Sequence, residues 1–135
     1  MERTVVNTQN APQPLGAYSQ AIRVKDGELL YIAGQVGVDN DGNLAGDGSM
    51  AAQTRQVYEN LGNILNSVGA GFSNVVEFTT YVVGRDSVWP FMNARAEIFP
   101  DLFPDGDYPP NTLLVIGGLV REEFLVEIKA VAALP

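Results

Sequence analysis

The 135-residue chain contains neither cysteine nor histidine. The first absence removes disulfides and thiolate nucleophiles. The second removes the imidazole base, the Ser-His-Asp triad and histidine-ligated zinc. Positive charge is scarce: eight Lys and Arg against sixteen Asp and Glu leave a formal net charge of −8. The basic residues stand at positions 3, 23, 25, 55, 85, 95, 121 and 129, without clustering. Affinity for a phosphate backbone rests on Lys and Arg, so nucleic acid is not expected as a partner. No apolar run approaches the roughly 20 residues that cross a bilayer. The start, MERTVVNTQNAPQ, is polar and lacks the apolar heart of a signal peptide. These features predict no membrane partner and a cytoplasmic location. Nothing reads GxxxxGK[ST], and no GxGxxG opens a helix. No cofactor and no metal is expected.

What is present fits one globular domain over residues 1–135, at 46% hydrophobic and 18% charged. Residues 1–20 read as irregular, with Pro12, Pro14 and Gly16 spacing out a tail. Ala21–Val24 and Leu29–Ala33 read as strands joined by KDGE, whose Asp-Gly predicts a hairpin. VDNDGNLAGDGS (38–49) lacks the ligand register and bidentate Glu of a calcium loop and reads as a solvated connection. From Met50 to Val68, apolar residues at 57, 61, 64, 65 and 68 describe one helical face, capped by Ser49 or Asp47 and ended by Gly69. Val75–Val83 is rich in β-branched and aromatic residues and reads as a strand. A second helix follows, capped by Asp86 or Ser87, its inner face formed by Val88, Met92, Arg95, Ala96 and Phe99. Asn111–Ile116 and Phe124–Ala133 are the last strands, with GGLVREE turning between them.

The predicted order is therefore ββ-α-β-α-ββ: an α+β fold with two helices on one face of a single mixed sheet. The other face is not polar enough for water. NTLLVI is apolar on both alternate sides, which expects burial on both, and a second copy of the chain is the simplest cover. A homo-oligomer is expected. Glu127 interrupts FLVEIKAVAA on the side shared by Leu125, Lys129 and Val131, the side that meets a neighbour. A carboxylate there must be paired, solvated by trapped water or perturbed in pKa. A structural ion pair with Lys129 and a functional role stand as alternatives on position alone.

Several segments carry a resemblance. YPP followed by Asn111, a short strand, a turn and LVEIKAVA resembles the C-terminal signature of the Rid (YjgF) family. NAPQPLGAYSQAI, YIAGQVGV and FMNARAEIF resemble further segments of that family, in the same order. The resemblance implies a homotrimer of chorismate-mutase-like fold, with sheets inward and small-molecule clefts between subunits. In the family's deaminase branch such a cleft hydrolyses reactive enamines and imines to ammonia and a 2-oxo acid. By residue, it implies water handling by Glu127 and a pocket drawn from Tyr18, Gly34, Gln35, Asn93 and Asn111. One position departs from the pattern. Where the deaminase branch carries the arginine that clamps the substrate carboxylate, this chain has Asn111. An amide hydrogen-bonds but cannot neutralise a charge as a guanidinium fork does. The expectation is a cleft for an enamine- or imine-type metabolite that differs from the standard 2-imino acid site. The alternatives are a deaminase in which another cation (Arg23, Arg121 or Lys129) holds the carboxylate, or a non-catalytic binding module. The ribonuclease label that the family sometimes carries is not supported by an acidic chain without histidine.

Overall fold

A computed structural model describes all residues, Met1–Pro135. Eight main elements follow one another: β1 (Glu2–Val6), β2 (Ala21–Lys25), β3 (Glu28–Val36), α1 (Met50–Ser67), β4 (Val75–Val83), α2 (Val88–Leu102), β5 (Asn111–Ile116) and β6 (Val126–Leu134). Four strands form a mixed sheet in the order β3-β6-β4-β5, with β4 and β5 parallel and the other pairs antiparallel. The two helices cover one face of it. This is the predicted α+β class.

Three local expectations are corrected. Residues 1–20 are not all irregular: Glu2–Val6 pairs with β2 as a separate two-stranded ribbon. Four of its five residues are exposed, so burial writes no alternation into it. Arg3 ties it down, its Nε donating to the Val75 carbonyl at 3.1 Å. The Asp-Gly turn forms, with φ of 53° at Asp26 and 153° at Gly27, but β2 and β3 do not pair across it. The turn instead redirects the chain from the ribbon into the main sheet, where Glu28 lies opposite Leu134. Finally, β5 and β6 are not neighbours, because β4 lies between them. Residues 117–125 therefore make a crossing rather than a hairpin.

The core sits between sheet and helices. Helix α1 buries Val57, Leu61 and Leu65 as its periodicity predicts, each worth about 1.5–3 kcal/mol against exposure. Val68 lies just past its end and is exposed. Ser49 caps the start, its Oγ accepting from the Ala52 N–H at 3.2 Å. Helix α2 begins after Ser87, whose hydroxyl donates to the Val83 carbonyl and so does not cap. Its buried residues are Phe91, Ala94, Arg95 and Phe99, while Ala96 faces out. Phe78, Phe99, Phe103 and Tyr58 meet largely edge to face, with centroids 5.0–6.2 Å apart. In β6, Val126, Ile128 and Ala130 face the helices, while Glu127, Lys129 and Val131 take the open side.

Candidate functional site

Glu127 lies half-buried on the open face of the sheet, opposite Tyr81 of β4 and Val36 of β3. Strand β3 is irregular between Ile32 and Gln35, and Gly34 falls in that bulge. A Cβ on Gly34 would come within 2.7 Å of the Glu127 Cδ and overlap the carboxylate. Glycine there is a steric requirement of the glutamate above it. Within the chain Glu127 has no ion-pair partner: the two ion pairs are Arg55–Glu97 and Arg121–Glu123. A half-buried carboxylate with free lone pairs, beside exposed backbone, is suited to hold a water or a polar ligand atom.

Asn111 faces the other way. At the start of β5 it lies opposite core residue Phe78, and its Oδ1 accepts from the buried Thr80 hydroxyl at 2.8 Å. It is on the helix side of the sheet; Glu127 is on the open side. Tyr18 belongs with Asn111's end of the molecule. Its hydroxyl accepts from the Leu15 N–H at 3.2 Å, and the following residue, Ser19, donates its N–H to the Pro109 carbonyl. A single protomer does not bring Glu127 and Asn111 to one surface.

Gln35 sits at the bulge, its amide donating to Ala33 O at 3.3 Å, and it borders a polar cleft of about 330 Å³ with Asp39, Asn60, Asn63 and Ser67. Asn93 is exposed on α2, apart from both Glu127's face and the inner side of its own helix. In the 38–49 loop the Asp39 carboxylate is taken up by the turn itself, accepting from the Asp41 and Asn43 N–H groups at 2.9 Å.

Each of the three alternative cations has a definite place. Arg121 pairs with Glu123, reaches the Gly42 carbonyl and lies 4.8 Å from the centre of the Phe124 ring. Arg23 is exposed on the ribbon opposite Thr4. Lys129 is exposed on Glu127's face, without the intrachain ion pair that its spacing allowed. Sequence reasoning passed over a fourth cation, Arg95, which is buried among aromatic rings on α2. The signal was Phe-x-x-x-Arg-x-x-x-Phe over 91–99, a spacing that sets a ring one helical turn to either side of the guanidinium.

Residues 8–134 match the family model described as Endoribonuclease L-PSP. The chain belongs to the Rid family. A RutC family protein of Pyrococcus horikoshii is 35% identical over 130 residues, 96% of this chain and 97% of that protein. The mouse 2-iminobutanoate/2-iminopropanoate deaminase is also 35% identical, over 96% of this chain and 90% of the relative. Among solved structures, the Rid family protein YyfB of Yersinia pestis, of unknown function, superposes with a TM-score of 0.89 at 33% identity, covering 99% and 100% of the two chains. No helix of this Rid protein is long and apolar enough to cross a membrane.

Proposed function

We propose that this Rid protein hydrolyses a small, reactive imine or enamine in clefts between the subunits of a homotrimer, with Glu127 as the water-handling group. The observation that carries this is the Glu127–Gly34 pair: a half-buried carboxylate, free of intrachain ion pairs, seated over a glycine bulge. Relatives of one-third identity or more that bear the name 2-iminobutanoate/2-iminopropanoate deaminase supply the reaction class. Water adds to the C=N carbon while the carboxylate takes a proton from it. The C–N bond then breaks as nitrogen is protonated, releasing ammonia and an oxo compound. An imine carbon is already electrophilic, so an oriented water and one acid–base group suffice.

Oligomeric clefts are supported by two features. The open sheet face exposes Leu29 and Tyr31 beside Lys129, more apolar surface than a solvated face needs. Glu127 and Asn111 also point to opposite sides of one sheet, so a site using both needs two copies.

The test measures ammonia release from freshly generated 2-iminopropanoate and from an imine without a carboxylate. The wild-type chain hydrolyses at least one of them, and Glu127→Ala lowers kcat about 100-fold or more. Wild-type turnover no faster than buffer on both, or a Glu127→Ala variant as fast as wild type, would sink the proposed role.

A further inference from the structure

The one buried cation in the molecule has no counter-ion. Arg95 is only 4% exposed, and neither intrachain ion pair includes it. Buried charges are ordinarily paired or bound to something, because losing water without a partner is costly. A guanidinium has five N–H donors. The one bond Arg95 makes is from Nη2 to Met92 Sδ at 3.2 Å, and a thioether is a weak acceptor. The rest of its surroundings is aromatic. Its guanidinium carbon lies 5.4 Å from the Phe91 ring centre and 5.6 Å from that of Phe99. Those rings offset part of the lost hydration. Burial pulls the Arg95 pKa down, and the hydroxyls of Tyr58, Tyr18 and Tyr108 oppose that pull.

The group is not sealed in. Thr54 Oγ1 is the one fully enclosed side-chain polar atom left without a partner. The unpaired Nε and Nη1 of Arg95 are thus not fully enclosed. A glycine turn lies against Nη2: a Cβ on Gly16 would stand 3.6 Å from Nη2 and 4.0 Å from the Tyr18 ring. That turn is held by two bonds, Tyr18 N–H to Gly16 O and Leu15 N–H to the Tyr18 hydroxyl, and Leu15 is almost wholly exposed. Tyr108, stacked on Phe99, leads within three residues to Asn111 at the start of β5.

We infer that Arg95, beneath the Gly16–Tyr18 turn, is the cation of a subsite for a small planar carboxylate of the 2-oxo or 2-imino acid class. The planar fork matches two carboxylate oxygens. One isolated cation in a chain of net charge −8 suits a monoanion better than a polyphosphate. Arg95 thus supplies the charge that Asn111 lacks, from the same side of the sheet. The choice of 2-oxo acids rests on the imine chemistry proposed above; the unpaired cation does not.

The experiment is calorimetric titration with 2-oxobutanoate and with its neutral counterpart, 2-oxobutanamide. Wild type binds the acid, and the amide at least about 30-fold more weakly, the scale of a lost charged contact. Arg95→Met keeps an unbranched stem between the rings and abolishes the discrimination while its melting temperature stays near wild type. Arg95→Lys keeps the charge but not the fork and weakens acid binding about tenfold, one charged hydrogen bond's worth, and this decides the matter should the methionine variant fail to fold. Failure of wild type to bind the acid, equal binding of acid and amide, or wild-type acid affinity in Arg95→Met or Arg95→Lys would each overturn the subsite. If the acid does not bind while an uncharged imine is still hydrolysed through Glu127, only the Arg95 subsite falls. Arg95-dependent binding with no imine hydrolysis removes the proposed reaction and leaves the subsite.

Discussion

Gly34 and Glu127 compete for one volume, and the protein gives it to the carboxylate. In Gly34→Ala the added methyl must turn the glutamate side chain aside, because the atoms it meets belong to that side chain rather than to backbone. The expected outcome is a loss of Glu127-dependent turnover out of proportion to any loss of stability. Activity falls about tenfold or more, as expected when a catalytic group is displaced by an ångström, while the melting temperature drops by only a few degrees. A double variant with Glu127→Ala should be no slower than Glu127→Ala alone; additive losses would mean that Gly34 acts through something else. At this scale the sequence was legible where one residue broke its surroundings. A carboxylate in an apolar strand announced Glu127, and its position on the open face followed from alternation alone. Arg95 was not legible as a lone cation, because a residue on a helix's inner face reads the same whether or not a carboxylate waits opposite it. Only the fold reveals that none does.

Among the elements, the join between α1 and β6 depends on one buried amide. Gln53, in the first turn of α1, donates to the Gly48 and Glu123 carbonyls at 2.9 and 2.8 Å and accepts from the Leu125 N–H at 2.9 Å. It thereby stitches the helix start to the segment that leads into β6. Gln53→Met conserves length but strands three backbone groups, and at about 1 kcal/mol per bond it should cost about 3 kcal/mol in urea unfolding. A loss below about 1 kcal/mol would mean that water replaces the amide. Periodicity made both helices readable, because each has one buried face, while apolar and β-branched runs marked the later strands. It failed for β1, whose residues are mostly exposed and whose partner is β2. It also could not order the strands: the crossing from β5 to β6 over β4 is set by packing at a distance, with no local signal in GGLVREE.

At the level of the whole molecule, apolar residues on both sides of β5 stood out in the sequence. In the fold, Leu114 and Val115 remain about 40% exposed on one edge of the sheet, and Leu29 and Tyr31 are exposed on β3 at the opposite edge. An edge strand so exposed is a template for pairing with another chain unless something covers it. If the trimer proposed above covers it, assembly and folding should be inseparable. The opposed directions of Glu127 and Arg95 across one sheet then have a genetic meaning. If each cleft takes its glutamate from one copy and its arginine from another, an Glu127→Ala allele and an Arg95→Met allele are both dead alone. Produced together in one cell they form mixed assemblies, in which roughly a quarter of the clefts draw both intact residues by chance. Two inactive genes would restore part of the activity that neither encodes, and no such rescue would appear if the residues served the same cleft from the same copy.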